Sequence, residues 1–154
     1  MKAYKTIILI IFTILLLGGF ANASSLYPDY LAGNPNLKLI DGHMGTGYYY
    51  DSTSLVNKLY NPPYYQLAVN VAVVNNAHQG NTNISKVVTL RFFYDMNRHQ
   101  VILLDVNSGA PIRQLNPQDA LAKTRMVLPA AEKAFYQAYN LKFFNKFDYS
   151  FYMR

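Results

Sequence analysis

This 154-residue sequence predicts an α+β domain: an antiparallel β-sheet packed against a C-terminal α-helix, preceded by a cleaved signal peptide. Three observations carry that expectation. Leu67, Val69, Val71 and Val73 alternate with Gln66, Ala68, Asn70 and Ala72, the period-2 signature of a sheet buried on one side. Leu128, Ala131, Phe135, Ala138 and Tyr139 fall on one helical stripe, with Lys133, Gln137 and Asn140 away from it. Residues 1–23 run from Lys2 and Lys5 through an apolar stretch to small residues, the order of an export leader.

In that leader, Ile7 to Leu17 is apolar except for Thr13, Gly18-Gly19 breaks the run, and Ala21-Asn22-Ala23 offers small residues at the cleavage positions. Cleavage is expected between Ala23 and Ser24. Ile7 to Phe20 falls short of the about 20 apolar residues that a spanning helix needs, so no stable membrane span is expected after cleavage.

Residues 24–45 hold Pro28, Gly33, Asn34, Pro35, Asp41, Gly42 and Gly45, which reads as an irregular lead-in. A helical turn near Tyr27–Ala32 and a short strand at Lys38–Ile40 are expected within it. Residues 46–154 then form a single domain. Gly42 to Gly47 lacks the Gly-Lys-Ser/Thr ending of a phosphate loop and reads as a turn before a strand.

Tyr48 to Asp51 is a short aromatic strand, and Ser52 to Tyr60 either a helical turn or the strand's extension. Pro62-Pro63 marks a boundary. Strands are expected at Tyr64–Asn75 and Lys86–Asp95, joined by a polar loop. Val88, Leu90, Phe92 and Tyr94 share the second strand's apolar face, and Thr89 and Arg91 its wetter one. Gln100–Val106 pairs as a hairpin, and Ile112–Leu115 adds a short strand. Asn116-Pro117-Gln118-Asp119 carries helix-start signals, Leu128-Pro129 interrupts, and Pro129 opens the main helix to about Leu141. Aromatic and polar residues alternate from Lys146 to Tyr152, which predicts a closing strand.

The chain has no cysteine. Lipid anchoring through a lipobox, disulfides, zinc–thiolate sites and thiol nucleophiles are therefore excluded. Its formal charge of +6 falls to +4 once Lys2 and Lys5 leave with the acid-free leader. The remaining basic residues are scattered, which argues against nucleic acid as a partner. The conspicuous bias is aromatic: 14 Tyr and 9 Phe without Trp. Tyrosine suits both half-buried sheet positions and binding surfaces.

Gly47-Tyr48-Tyr49-Tyr50-Asp51-Ser52, Pro62-Pro63-Tyr64-Tyr65 with its Val-rich strand, Leu90-Arg91-Phe92-Phe93-Tyr94-Asp95 and Pro129 to Asn140 together resemble a group of small, uncharacterised exported bacterial proteins. That group is similar in pattern to the surface-adhesin protein E family. The resemblance covers roughly residues 46–144 and is most specific in the last segment. It implies an antiparallel sheet flanked by a C-terminal helix, a cell-envelope or surface location, and adhesion to host or partner proteins. No binding residue carries over from it.

His43, His78 and His99 lie in predicted turns without metal-ligand spacing, so no metal or cofactor is expected. Asp51, Asp95 and Asp105 sit near strand ends, where turn capping competes with acid–base chemistry. No serine has a Gly-x-Ser-x-Gly context. Asn83-Ile84-Ser85 fits a glycosylation sequon that matters only on a eukaryotic secretory route. The binding candidates are Tyr48, Tyr49, Tyr50, Tyr60, Tyr64 and Tyr65 beside the Pro-Pro bend, where exposed rings suit a sugar or peptide patch.

The expected function is thus an exported, non-enzymatic, adhesin-like binding module of the periplasm, cell surface or medium, with an envelope or extracellular protein or glycan as partner. The alternatives are a small periplasmic enzyme or carbohydrate-processing factor whose site assembles only in three dimensions, and a homodimer paired through sheet edges.

Overall fold

The computed structural model describes residues 26–154. The expected leader and its cleavage point between Ala23 and Ser24 lie outside the described residues. Six strands follow one another in chain order, each antiparallel to its neighbour: β1 Leu37–His43, β2 Thr46–Asn61, β3 Tyr64–Val74, β4 Lys86–Asp95, β5 Gln100–Leu104 and β6 Pro111–Leu115. Helices α1 Leu121–Thr124, α2 Val127–Tyr139 and α3 Tyr149–Met153 complete the α+β fold. Among the described residues no helix is long and apolar enough to cross a membrane.

Tight turns set the order of the sheet. Met44 and Gly45 both have positive φ (46° and 82°), the geometry that a two-residue hairpin needs to follow strand twist. Pro62-Pro63, a cis pair, turns β2 into β3 with Asn61 opposite Tyr64. The segment read as an irregular lead-in contributes all of β1, longer than the expected Lys38–Ile40, because it pairs with β2 from Leu37↔Asp51 to His43↔Thr46 and Lys38 is tied to the Arg154 carbonyl. Ser52 to Tyr60 is strand rather than helical turn.

The inner face of the sheet carries the main core. Leu67, Val69, Val71 and Val73 meet Leu90, Phe92 and Tyr94 beneath Leu128, Ala131, Ala134 and Phe135 of α2. Alanines on the helix stripe let it lie close, and aromatic rings fill the space beyond. Phe135 packs its centroid 4.8 Å from Tyr94, 5.1 Å from Phe143 and 5.0 Å from Tyr139. Tyr94 donates its hydroxyl to Ala131 O at 2.9 Å. That burial pushes the Tyr94 phenol well above its usual pKa.

Three expectations are corrected. The sheet is not buried on one side only, since Tyr49, Ala72, Val74, Leu31 and Ala77 form a second small core on the outer face. The first helix begins at Leu121 and not near Pro117, because Asn116 Oδ1 accepts from Gln118 N and holds a turn there. It ends at Arg125, whose φ of 45° breaks the helix, whereas Pro129 sits inside the first turn of α2. A first-turn position needs no N–H, so Pro129 is tolerated.

The last segment is helical where a closing strand was expected. Asp148 caps α3 by accepting from Phe151 N at 2.8 Å, and Phe147 stacks on Phe151 at 4.2 Å, a one-turn spacing. This segment is held to α2 by two neighbouring charged residues buried in the core. Glu132 accepts from Phe144 N at 2.5 Å and from the Tyr152 hydroxyl at 2.8 Å. Lys133 donates to the carbonyls of Phe151, Tyr152 and Arg154 at 2.8, 2.9 and 2.5 Å.

Candidate functional site

The six candidate tyrosines do not share a surface. Tyr48 and Tyr50 point into the main core and Tyr49 into the small one, with Tyr49 and Tyr50 at 0% exposure. Alternation along a strand sends 48 and 50 one way and 49 the other, and here both ways are covered. Burial lifts the phenols of Tyr49 and Tyr50 above their usual pKa. Neither hydroxyl has a hydrogen-bond partner among the described residues.

Tyr60 and Tyr65 gather around Tyr139 of α2, at 5.9 and 4.8 Å, and Tyr60 is 66% exposed. Tyr64 lies on the opposite face, stacked on Phe93. The aromatic bias therefore goes mostly into packing.

The other chemical candidates are spent locally. Asp51 accepts from Thr53 N and Oγ1, Asp95 from Arg98 N, and Asp105 from Asn107 N, Ser108 N and Ser108 Oγ. Those bonds from Ser108 hold the Asp105 carboxyl below its usual range. His78 packs near Tyr27, and His99 stacks on Phe143 with Nε2 2.6 Å from the Phe143 carbonyl. Among the described residues no cluster of His, Asp and Glu is placed to hold a metal ion.

What the fold leaves open is the middle of the outer face. Between Asp51↔Asn70 and Val56↔Ala68, β2 advances five residues while β3 advances two, so the extra residues bulge out as a wall. Short bonds fix the bulge: Ser54 Oγ donates to Asp51 O at 2.7 Å and accepts from Asn70 N at 2.8 Å. Gln137 of α2 reaches Ser52 O at 2.9 Å and ties the wall to the helix.

The floor is β3 and β4, where Ala68 lies opposite Arg91 and Asn70 opposite Thr89. Thr89 Oγ1 donates to Asn70 Oδ1 at 2.8 Å, and Arg91 Nη2 to Gln66 Oε1 at 2.9 Å. The turn after β5 makes the far wall. Gly109 has φ 72°, where a side chain is strained, and a Cβ there would stand 3.2 Å from Arg91 Nη1.

Enclosed between the walls is a hollow of about 320 Å³, and a second of about 220 Å³ adjoins it through the shared Asn70. Val56, Val87, Ile84 and Val106 stand exposed along this trough. Small Ala68 and Ala72 on the floor give it depth.

Residue by residue, the trough was half visible in the sequence. Thr89 and Arg91 already read as a wet face, and Gln66, Ala68, Asn70 and Ala72 as the outer set of β3. The missing part was the bulge, which depends on the register of β2 against β3. Compared with protein-family models, curated proteins and solved structures, the chain finds no match.

Proposed function

We propose that this chain is an exported, adhesin-like binding module that works in the periplasm, at the cell surface or in the medium, and carries out no reaction of its own. The observation that supports this reading most is the open trough on the outer face. One face of the sheet is covered through its middle by α2 and the C-terminal segment, with a hollow of about 380 Å³ only at its edge beside Lys38, Ser52 and Lys133, while the middle of the other keeps a hollow of about 320 Å³ with polar and apolar walls. Ligand sites are commonly concave, of about this size, and mix apolar lining with a few placed polar groups. Asp51, Asp95 and Asp105, the carboxylates best placed for chemistry by sequence, are each occupied with their own turns.

Protein from cells expressing the full chain, immobilised and exposed to envelope and extracellular-matrix extracts, tests the reading. A partner retained by the native protein and by Tyr60→Ser, but lost with Thr89→Arg in the trough, supports it. Capture indifferent to Thr89→Arg, or a turnover activity abolished by Asp51→Asn or Asp95→Asn, overturns it.

A further inference from the structure

We infer that the larger hollow takes an acidic sugar, a pyranose-sized ring carrying a carboxylate or sulfate; this rests on the trough being the binding surface. Charge is the first argument. Arg91 and Lys58 both line the hollow, and the nearest acid, Asp105 in the turn behind Arg91, is bonded to its own turn and is not part of the lining. Neither cation takes part in an ion pair among the described residues. Arg91 Nε is buried with no partner, while Nη2 serves Gln66 and Nη1 reaches the Val106 carbonyl at 3.4 Å. A guanidinium has five N–H donors, so three of them have no partner among the described residues. A buried donor on a charged group is costly unless an acceptor, best an anion, meets it.

The rest of the lining suits a polyol better than a nucleotide or a fatty acid. Ser54, Asn70 and Thr89 sit together on the floor and wall. Asn70 Oδ1 is used by Thr89, whereas its amide nitrogen has no partner among the described residues and is free to donate to a ring hydroxyl. Val56, Ala68 and Val106 supply an apolar patch beside them, against which a sugar's C–H face can lie. No aromatic ring lines the hollow, so a nucleobase would find nothing to stack on. Polar groups break the lining too often for an acyl chain. The volume of about 320 Å³ suits one such ring.

The test is an amide chemical-shift titration of protein from cells expressing the full chain, with glucuronate, glucose 6-sulfate, glucose and inorganic sulfate as separate probes. The expected result is perturbation at Ser54, Asn70, Thr89 and Arg91 by glucuronate or glucose 6-sulfate, with glucose and inorganic sulfate far weaker. The stronger of the two acidic probes identifies carboxylate or sulfate as the recognised group. Arg91→Gln should weaken binding about tenfold or more, the scale of one lost charge-assisted contact, and Arg91→Lys less. Lys58→Gln, at an exposed position, gives the second variant should Arg91→Gln fold poorly.

Equal shifts with glucose, or affinity unmoved by both Arg91→Gln and Lys58→Gln, overturn the acidic assignment. No response to any sugar, while capture sensitive to Thr89→Arg persists, overturns the sugar and leaves the binding surface standing. Shifts confined to the Tyr60–Tyr65 end overturn both.

Discussion

The two faces of one sheet obey opposite rules. On the inner face every strand sends aliphatic or aromatic side chains into the main core, and the charges buried there among the described residues, Glu132 and Lys133, are bonded to the segment they hold down. On the outer face the middle is floored with Ala68, Asn70 and Thr89 and nothing among the described residues lies over it. Covering a face stabilises the fold through area removed from water. Leaving one concave and partly polar sacrifices that gain and creates a surface able to bind. The contrast predicts that stability and binding map to different sides of the same strands.

The largest effect should come from the covered face. Phe135→Ala removes a ring that touches Tyr65, Tyr94, Tyr139 and Phe143, and is expected to cost about 3–5 kcal/mol in denaturant unfolding. A loss comparable to a surface substitution would break the comparison.

Next comes the buried lysine. Burial, with like charge from Lys38 and Arg154, pulls the Lys133 pKa down to about 8 from 10.5. Between these values the unfolded chain keeps a proton that the folded chain has released, so stability rises with pH from about 8. The rise should end near pH 10, where tyrosine ionises in the unfolded chain while Tyr50, Tyr94 and Tyr152, their pKa values raised, hold their protons. Glu132 acts at the other end: burial raises its pKa above 4.5, so stability falls as pH climbs through that raised value. Lys133→Met leaves carbonyls without their donor and should cost about 1–3 kcal/mol at pH 9. The gap to the native protein should narrow toward pH 7, and a pH-independent gap would contradict the assignment.

Smaller still is Tyr50→Phe. The buried Tyr50 hydroxyl has no partner among the described residues, so its removal relieves a desolvated group. Stability should stay the same or rise, as read by melting temperature, and a clear loss would mean the hydroxyl is bonded. Thr89→Ala on the open face should shift unfolding by no more than about 0.5 kcal/mol. A larger cost would make the floor of the trough part of the core.

Much of this architecture could be read from periodicity alone. The β3 and β4 alternations and the α2 stripe gave both the sheet and its cover, because side-chain direction follows directly from strand and helix geometry. The failures have physical causes. Residues 146–152 alternate like a strand, yet Asp148 caps a helix and the spacing of Phe147 and Phe151 matches one helical turn. Tyr48, Tyr49 and Tyr50 read as binding candidates because alternation sends rings to both sides of β2, and the structure provides a core on each side. The trough itself needed register: no local pattern tells that β2 spends five residues where β3 spends two.

The central claim is that the open face binds and the covered face supports. Ala68→Met tests it most directly, since the added side chain grows from the floor into the larger hollow, where there is room for it. Melting temperature and retention of the captured partner should be measured on the same sample. The account predicts a melt within a few degrees of the native protein, about the effect of 1 kcal/mol or less, together with loss of capture. Capture at native strength by a normally folded Ala68→Met protein would contradict it.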